Sequence, residues 1–228
     1  MEIWKYVEKN LKESILSART VGIGTIEHYR EIEDPNRKDY FEGKTVYALT
    51  PQNTEIVLDS EQLSLIENEY YLRDGSELCL RPGAFLTTNL IVPNVFVFCT
   101  SRTYSNINQC RFGGGCYKIT NIKDFGDSVF NELSKIQEMV FWTSSPVNYV
   151  DSKIVSITED NVATIISSDG DDPSKPGMPK IIINDYFTKG KTFMREEEYR
   201  FVFVPKSTPH FKEKIISVNG LENMIEFV

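Results

Sequence analysis

The stretch Arg195-Glu196-Glu197-Glu198-Tyr199-Arg200-Phe201-Val202-Phe203-Val204 decides the fold class. After a run of charge, its aromatic residues recur with period two, as in a strand with one face buried. Tyr199, Phe201 and Phe203 then face a core, while Glu196, Glu198 and Arg200 share the opposite face. A second apolar run, Val95-Phe96-Val97-Phe98-Cys99-Thr100-Ser101, reads as a central buried strand ending in two hydroxyls. Outward from this pair, β-rich segments recur at residues 22–26, 45–49, 54–58, 70–72, 77–80, 116–119, 147–157, 180–184 and 214–218. Pro51, Asp74-Gly75 and Pro82-Gly83 punctuate them as turn residues do. Two segments read as helices. In residues 3–17, Ile3, Val7, Leu11 and Ile15 stand four apart with charges opposite; in residues 125–140, Phe125, Val129, Leu133, Ile136 and Val140 share a face. Residues 28–43 are polar, with a turn at Pro35-Asn36, and residues 167–179 form an acidic loop, either a surface connector or a lid. The sum is an α+β chain of one domain, residues 1–228, with mostly antiparallel sheet and two main helices.

The chain has 228 residues, 40% hydrophobic and 25% charged, a composition that excludes wholesale disorder, collagen and a membrane bundle. A net charge of −8 argues against gripping duplex nucleic acid by counterion release. No apolar run approaches the roughly 20 residues of a membrane span, and Met1-Glu2-Ile3-Trp4-Lys5 lacks the order of a signal peptide. A cytoplasmic protein without a membrane partner is expected. Cys79, Cys99, Cys110 and Cys116 show no zinc-knuckle spacing and read as reduced thiols. No metal site is expected, since His28 has no second ligand at ligand spacing.

Four stretches could carry chemistry. Glu196 and Glu198, on one strand face, would stand about 7 Å apart at two strand rises. One carboxylate can hold a hydroxyl while the other orients a nucleophile or steadies developing positive charge. The same residues also read as a solvated strand end paired with Arg200 and Arg195. Thr100 and Ser101 either bind a ligand hydroxyl or cap the next turn. In Arg111-Phe112-Gly113-Gly114-Gly115-Cys116 the glycines, Gly114 at their centre, either let backbone approach a phosphate or form a hairpin turn. The run is neither a P-loop nor a dinucleotide fingerprint. The mixed charges from His28 onward either offer a basic group to a phosphate or form a salt-bridged turn.

Taken in order, a basic residue near the first strand, Cys99-Thr100-Ser101, and Glu196-x-Glu198 about 100 residues later resemble the Arg…Ser-Thr-Ser…Glu-x-Glu pattern of the ADP-ribosyltransferase superfamily. Residues 24–33, 38–43 and 196–200 also resemble uncharacterised bacterial proteins, some in phage-defence or toxin–antitoxin loci. The resemblance implies two packed, mostly antiparallel sheets that split to hold NAD as co-substrate, with an N-terminal helix and one further main helix. It implies that Glu198 is catalytic, that Glu196 orients or deprotonates the acceptor, that Thr100 and Ser101 support Glu198 and the ribose, and that Arg19 or Arg30 contacts the NAD phosphates. Here the middle motif reads Cys-Thr-Ser, and no arginine stands on the first strand. A mono-ADP-ribosyltransferase modifying protein or RNA is the expected activity, with an antitoxin protein as a partner. Tyr104, Phe112 and Arg111 could stack an unpaired acceptor base. The alternatives are a non-catalytic interaction module on the same fold and an enzyme that hydrolyses NAD.

Overall fold

The computed structural model describes residues 1–31, 44–59, 77–84, 86–151, 154–157 and 185–228. Its contacts divide the chain into two compact units. One comprises Met1–Glu42, Pro93–Tyr149 and Lys189–Val228; the other comprises Gly43–Val92 and Val150–Thr188.

The first unit is built around a strand from Phe96 to Ser101 (β7), whose Phe-Val-Phe sequence is fully buried. Along one edge it pairs antiparallel with Glu198–Pro205 (β13), from Glu198 opposite Ser101 to Phe203 opposite Phe96. Met139–Pro146 (β9) pairs with the far edge of β13. The other edge of β7 is forked. Thr20–Thr25 (β2) pairs with Phe96 and Val97 at its start, and Ile3–Glu8 (β1) pairs with Ser101 at its end. From β2 the sheet continues to Glu213–Ser217 (β14), and from β1 to Gly114–Ile119 (β8) and Ile225–Phe227 (β15). These eight strands form one sheet with every pairing antiparallel.

A helix at Ile122–Ser134 (α4) buries Phe125, Val129 and Leu133 against this sheet. Asn121 caps it by accepting the Asp124 N–H at 3.2 Å. The Phe125 ring lies 5.1 Å from Phe98 and 5.3 Å from Phe201, so helix and central strands share one aromatic core. Shorter helices occupy Lys12–Ala18 (α1), Ile26–Glu31 (α2) and Asn106–Arg111 (α3). Asn148–Val150 (β10) and Thr188–Gly190 (β12) form a two-stranded pair.

In the second unit, Lys44–Leu49 (β3) lies between Leu86–Ile91 (β6), antiparallel, and Ile154–Ile157 (β11), parallel. Ile56–Asp59 (β4) and Glu77–Leu80 (β5) form an antiparallel pair, and Leu49, Ile56, Leu58 and Leu80 are buried. The class is α+β, with a large antiparallel sheet, a smaller one and few helices.

Three expectations need correction. Residues 3–17 are not one helix: residues 3–8 are β1, a 3-10 turn follows at Lys9–Leu11, and only Lys12–Ala18 is α-helical. Residues four apart share a face in a strand as well as in a helix, so Ile3 and Val7 fit both periods. The tie is broken by pairing with β8, from Ile3 opposite Ile119 to Glu8 opposite Gly114. The helix expected over 125–140 runs from Ile122 to Ser134, and Val140 belongs to β9. The strand expected over Tyr199–Val204 lies within β13, but Glu196, expected on its face beside Glu198, precedes it. Expectations for residues 70–72, 167–179 and 180–184, and for the polar stretch beyond residue 31, lie outside the described residues. Among the described residues, no helix is long and apolar enough to cross a membrane.

Candidate functional site

The first unit holds a cleft of about 120 Å³, lined by residues of β1, β7, β12 and β13, with Tyr29, Asn108 and Phe112 beside them. It opens where the edge of β7 forks. Between the two diverging strands the Cys99 carbonyl accepts a hydrogen bond from Lys5 Nζ at 2.7 Å, a side chain standing where a strand would otherwise pair. The same ammonium lies 4.5 Å from the centre of the Phe98 ring.

Glu198, 3% exposed, opens β13 in the cleft floor. Its Oε1 accepts from Arg200 Nε and Nη2, both at 2.8 Å, and its Oε2 lies 2.8 Å from Lys189 Nζ. Arg200 is fully buried and Lys189 nearly so. Burial alone would push the Glu198 carboxyl up; Arg200 and Lys189 outweigh it and hold the group well below the usual carboxylate range. The neighbouring Cys99 thiol is pushed up to about 12, first by burial and then by the charge of Glu198.

Glu196 is not on that strand. It ends a 3-10 helix, Lys191–Glu196, and Glu197 then turns the chain with φ 43° and ψ 46°, a left-handed conformation that non-glycine residues rarely adopt. That turn is secured on both sides: the Glu197 carbonyl accepts from the Arg102 N–H at 2.7 Å, and its carboxylate from the Thr103 hydroxyl at 2.9 Å. Glu196 and Glu198 therefore meet through a shared cation and not through strand periodicity, since Lys189 Nζ is 3.2 Å from Glu196 Oε2. Arg111 Nη1 stands 3.7 Å from Glu196 Oε1. Burial raises the Glu196 carboxyl, Lys189 opposes the rise, and the charge of Glu198 adds to it.

The hydroxyls serve the frame. Thr100 Oγ1 donates to the Tyr199 carbonyl at 2.7 Å. Ser101 Oγ lies 2.8 Å from the Glu196 carbonyl and 2.9 Å from that of Thr103, so its single proton serves one at a time. Both line the cleft, as do Trp4, Tyr6 and Phe112, the last two stacked at 6.1 Å. Tyr149 accepts the Glu198 N–H at 2.7 Å. Tyr104 packs on Trp4 at 5.2 Å.

The structure thus brings together Glu196, Glu198, Thr100 and Ser101, and does not bring Arg19, Arg30 or Gly114 to the cleft lining. Arg19 caps α1 in the left-handed region and pairs with Glu222 at 3.1 Å. Arg30 sits in α2 with its Nε buried and without a hydrogen-bond partner among the described residues. Gly114 opens β8, and its carbonyl accepts from Gln109 Nε2. The glycine run answers to packing: at Gly113, φ +102°, an added Cβ would stand 2.7 Å from Glu8 Cα.

Two cations of the site escape sequence reading. Lys189 lies in Thr188-Lys189-Gly190, which carries no local signal. Lys5 falls on the charged side of the helix expected there. Burying several charges costs desolvation that ion pairing repays only in part, so the network is weak evidence for stability and better evidence for a site. No cluster of three or more side chains suited to a metal occurs among the described residues. No protein-family model, curated protein or solved structure matches the chain.

Proposed function

We propose that this chain is an NAD-dependent mono-ADP-ribosyltransferase with a macromolecular acceptor, protein or RNA. The observation that carries the reading is the forked edge of β7. A basic side chain on β1, hydroxyls at the end of β7 and the glutamate opening β13 line one cleft there, on adjacent strands. The order of these elements along the chain is the order in the superfamily pattern, with Lys5 in the place of the arginine.

The residues present fit one end of NAD better than all of it. Pockets for drug-sized ligands run to about 300–1,000 Å³, and this cleft measures about 120 Å³. A nicotinamide ring and part of its ribose suit the aromatic and hydroxyl lining; the phosphates would lie outside. A carboxylate offers roughly four acceptor sites. Arg200 and Lys189 take three at Glu198, and the Cys99 thiol, a weak donor that a ribose hydroxyl can replace, lies beside the group.

In this reading the bond between nicotinamide and ribose breaks, and nicotinamide leaves with the electron pair. Glu198, kept ionised, steadies the positive charge left on the ribose. The acceptor nucleophile adds to that carbon, and its proton passes to Glu196, the more readily protonated of the pair. One observation favours a second reading, the non-catalytic module: Glu198 already has cations on both oxygens. With water as acceptor, the same chemistry is NAD hydrolysis.

The test uses NAD labelled in its adenylate, with cell extract. Label carried into protease- or nuclease-sensitive material supports transfer, and free ADP-ribose supports hydrolysis. NAD at about 100 times its Kd should stabilise the protein by roughly 2.7 kcal/mol. No thermal shift and no turnover favour the module.

A further inference from the structure

We infer that Lys189 is a positioning residue that holds Glu196 and Glu198 on one ammonium and makes Glu196 the carboxyl of the pair that exchanges a proton. The inference deepens the reading of Glu196 as the group that receives the acceptor's proton. It rests first on geometry. One nearly buried Nζ lies 2.8 Å from Glu198 Oε2 and 3.2 Å from Glu196 Oε2. Glu198 has a second cation of its own, Arg200, through two nitrogens at 2.8 Å. The second cation of Glu196 is Arg111, at 3.7 Å and a third exposed.

The shared ammonium is therefore divided unequally. Glu198, deeper and doubly paired, keeps its charge, while Glu196, nearer the mouth and more loosely paired, takes a proton first. The directions of the two carboxyl shifts, down for Glu198 and up for Glu196, agree with this order. The other titratable groups facing the pair do not reverse it. Cys99 on β7 and Tyr149 on β10 are both pushed up to about 12, chiefly by burial, and stay neutral; Lys5 on β1 lines the same cleft with its ammonium bonded to the Cys99 carbonyl. Lys189 is further confined by the Phe193 ring, 4.8 Å away, which limits where its ammonium can stand.

The experiment is a carbon-13 NMR titration of glutamate side-chain carboxyls in the full chain, assigned with Glu196→Gln and Glu198→Gln. In the unsubstituted protein Glu196 should titrate above Glu198; the reverse order, or equal midpoints, overturns the inference. Lys189→Met should move the Glu196 midpoint upward by about one pH unit or more, and Lys189→Arg should restore most of it. An unmoved midpoint in a folded Lys189→Met overturns the positioning role. If that variant does not fold, the order in the unsubstituted protein and the Lys189→Arg midpoint decide. Nicotinamide release from NAD is followed in parallel: the expected NMR shift without any release supports Lys189 as positioning residue and removes the transferase reading instead. Where release occurs, its acid limb should move with the Glu196 midpoint, more in Lys189→Met than in Lys189→Arg.

Discussion

Glu198 trades water for two cations. A carboxylate lining an open cleft could be replaced at little cost in stability; this one is enclosed with its partners, so removing its charge leaves Arg200 and Lys189 under-compensated in the interior. Glu198→Gln should therefore cost about 3 kcal/mol at pH 7 and, in the proposed reaction, lower turnover about 100-fold or more. Urea unfolding and nicotinamide release, measured on the same preparation, check both. The pH dependence has a definite sign. The folded-state value of Glu198 lies below its unfolded value, so its contribution is complete above the unfolded value of about 4.3 and is lost as the pH falls further. The stability gap between the protein and Glu198→Gln should stay constant from pH 7 to about pH 5 and close below about pH 4. Glu196 runs the other way: its raised value favours folding most below the unfolded value, an advantage lost as the pH rises through the folded one.

At the scale of elements, α4 shows how closely helix and sheet approach. Gly126 faces the Trp142 ring on β9, and an added Cβ would stand 2.3 Å from Cη2 of that ring. The ring cannot easily turn away, because its Nε1–H donates to Asp127 Oδ1 at 2.9 Å. Alanine is the better helix former by about 1 kcal/mol, yet Gly126→Ala should lower the melting temperature, with an overpacking cost of roughly 1–3 kcal/mol. A rise on a calorimetric scan would show that β9 yields. The elements also show where sequence is legible. The alternation of Tyr199, Phe201 and Phe203 names the strand and the face that meets the aromatic core, but not that Glu198, Arg200 and Val202 on the other face are buried as well. The segment at Ile3 to Val7 does not, because its spacing satisfies both helix and strand and only pairing with β8, more than 100 residues away, decides. Glu196 and Glu198 were findable as a pair, though not for the reason that unites them: a left-handed Glu197 takes Glu196 off the strand, and a lysine from β12 joins it back. Lys5 and Lys189 carry no pattern of their own, since each acts on a group distant in the chain or set by a turn.

At the scale of the whole molecule, 33 acidic residues against 25 basic ones leave a net charge of −8. The cations of the cleft are enclosed and paired, so they add little to any extended basic surface. Binding to duplex DNA by phosphate contacts should be negligible at 150 mM salt, with no dissociation constant below about 10⁻⁴ M, weaker than typical non-specific binders. Fluorescence anisotropy with a labelled duplex measures this, and micromolar binding would contradict it. An RNA acceptor would then have to be recognised as an unpaired base or end within the cleft and not along its backbone.

The forked edge of β7 also bears on when the site can exist. Its floor joins β1, at Ile3–Glu8, to β13, which begins only at Glu198. Strand pairings this distant in sequence close late. A nascent chain that has not reached residue 196 has Lys5 and the two hydroxyls but neither glutamate nor Arg200, and β1 has no finished cleft to line. A fragment that stops upstream of β13 therefore keeps the basic and hydroxyl side of the cleft without its carboxylates or Arg200, and cannot assemble the buried ion pairs.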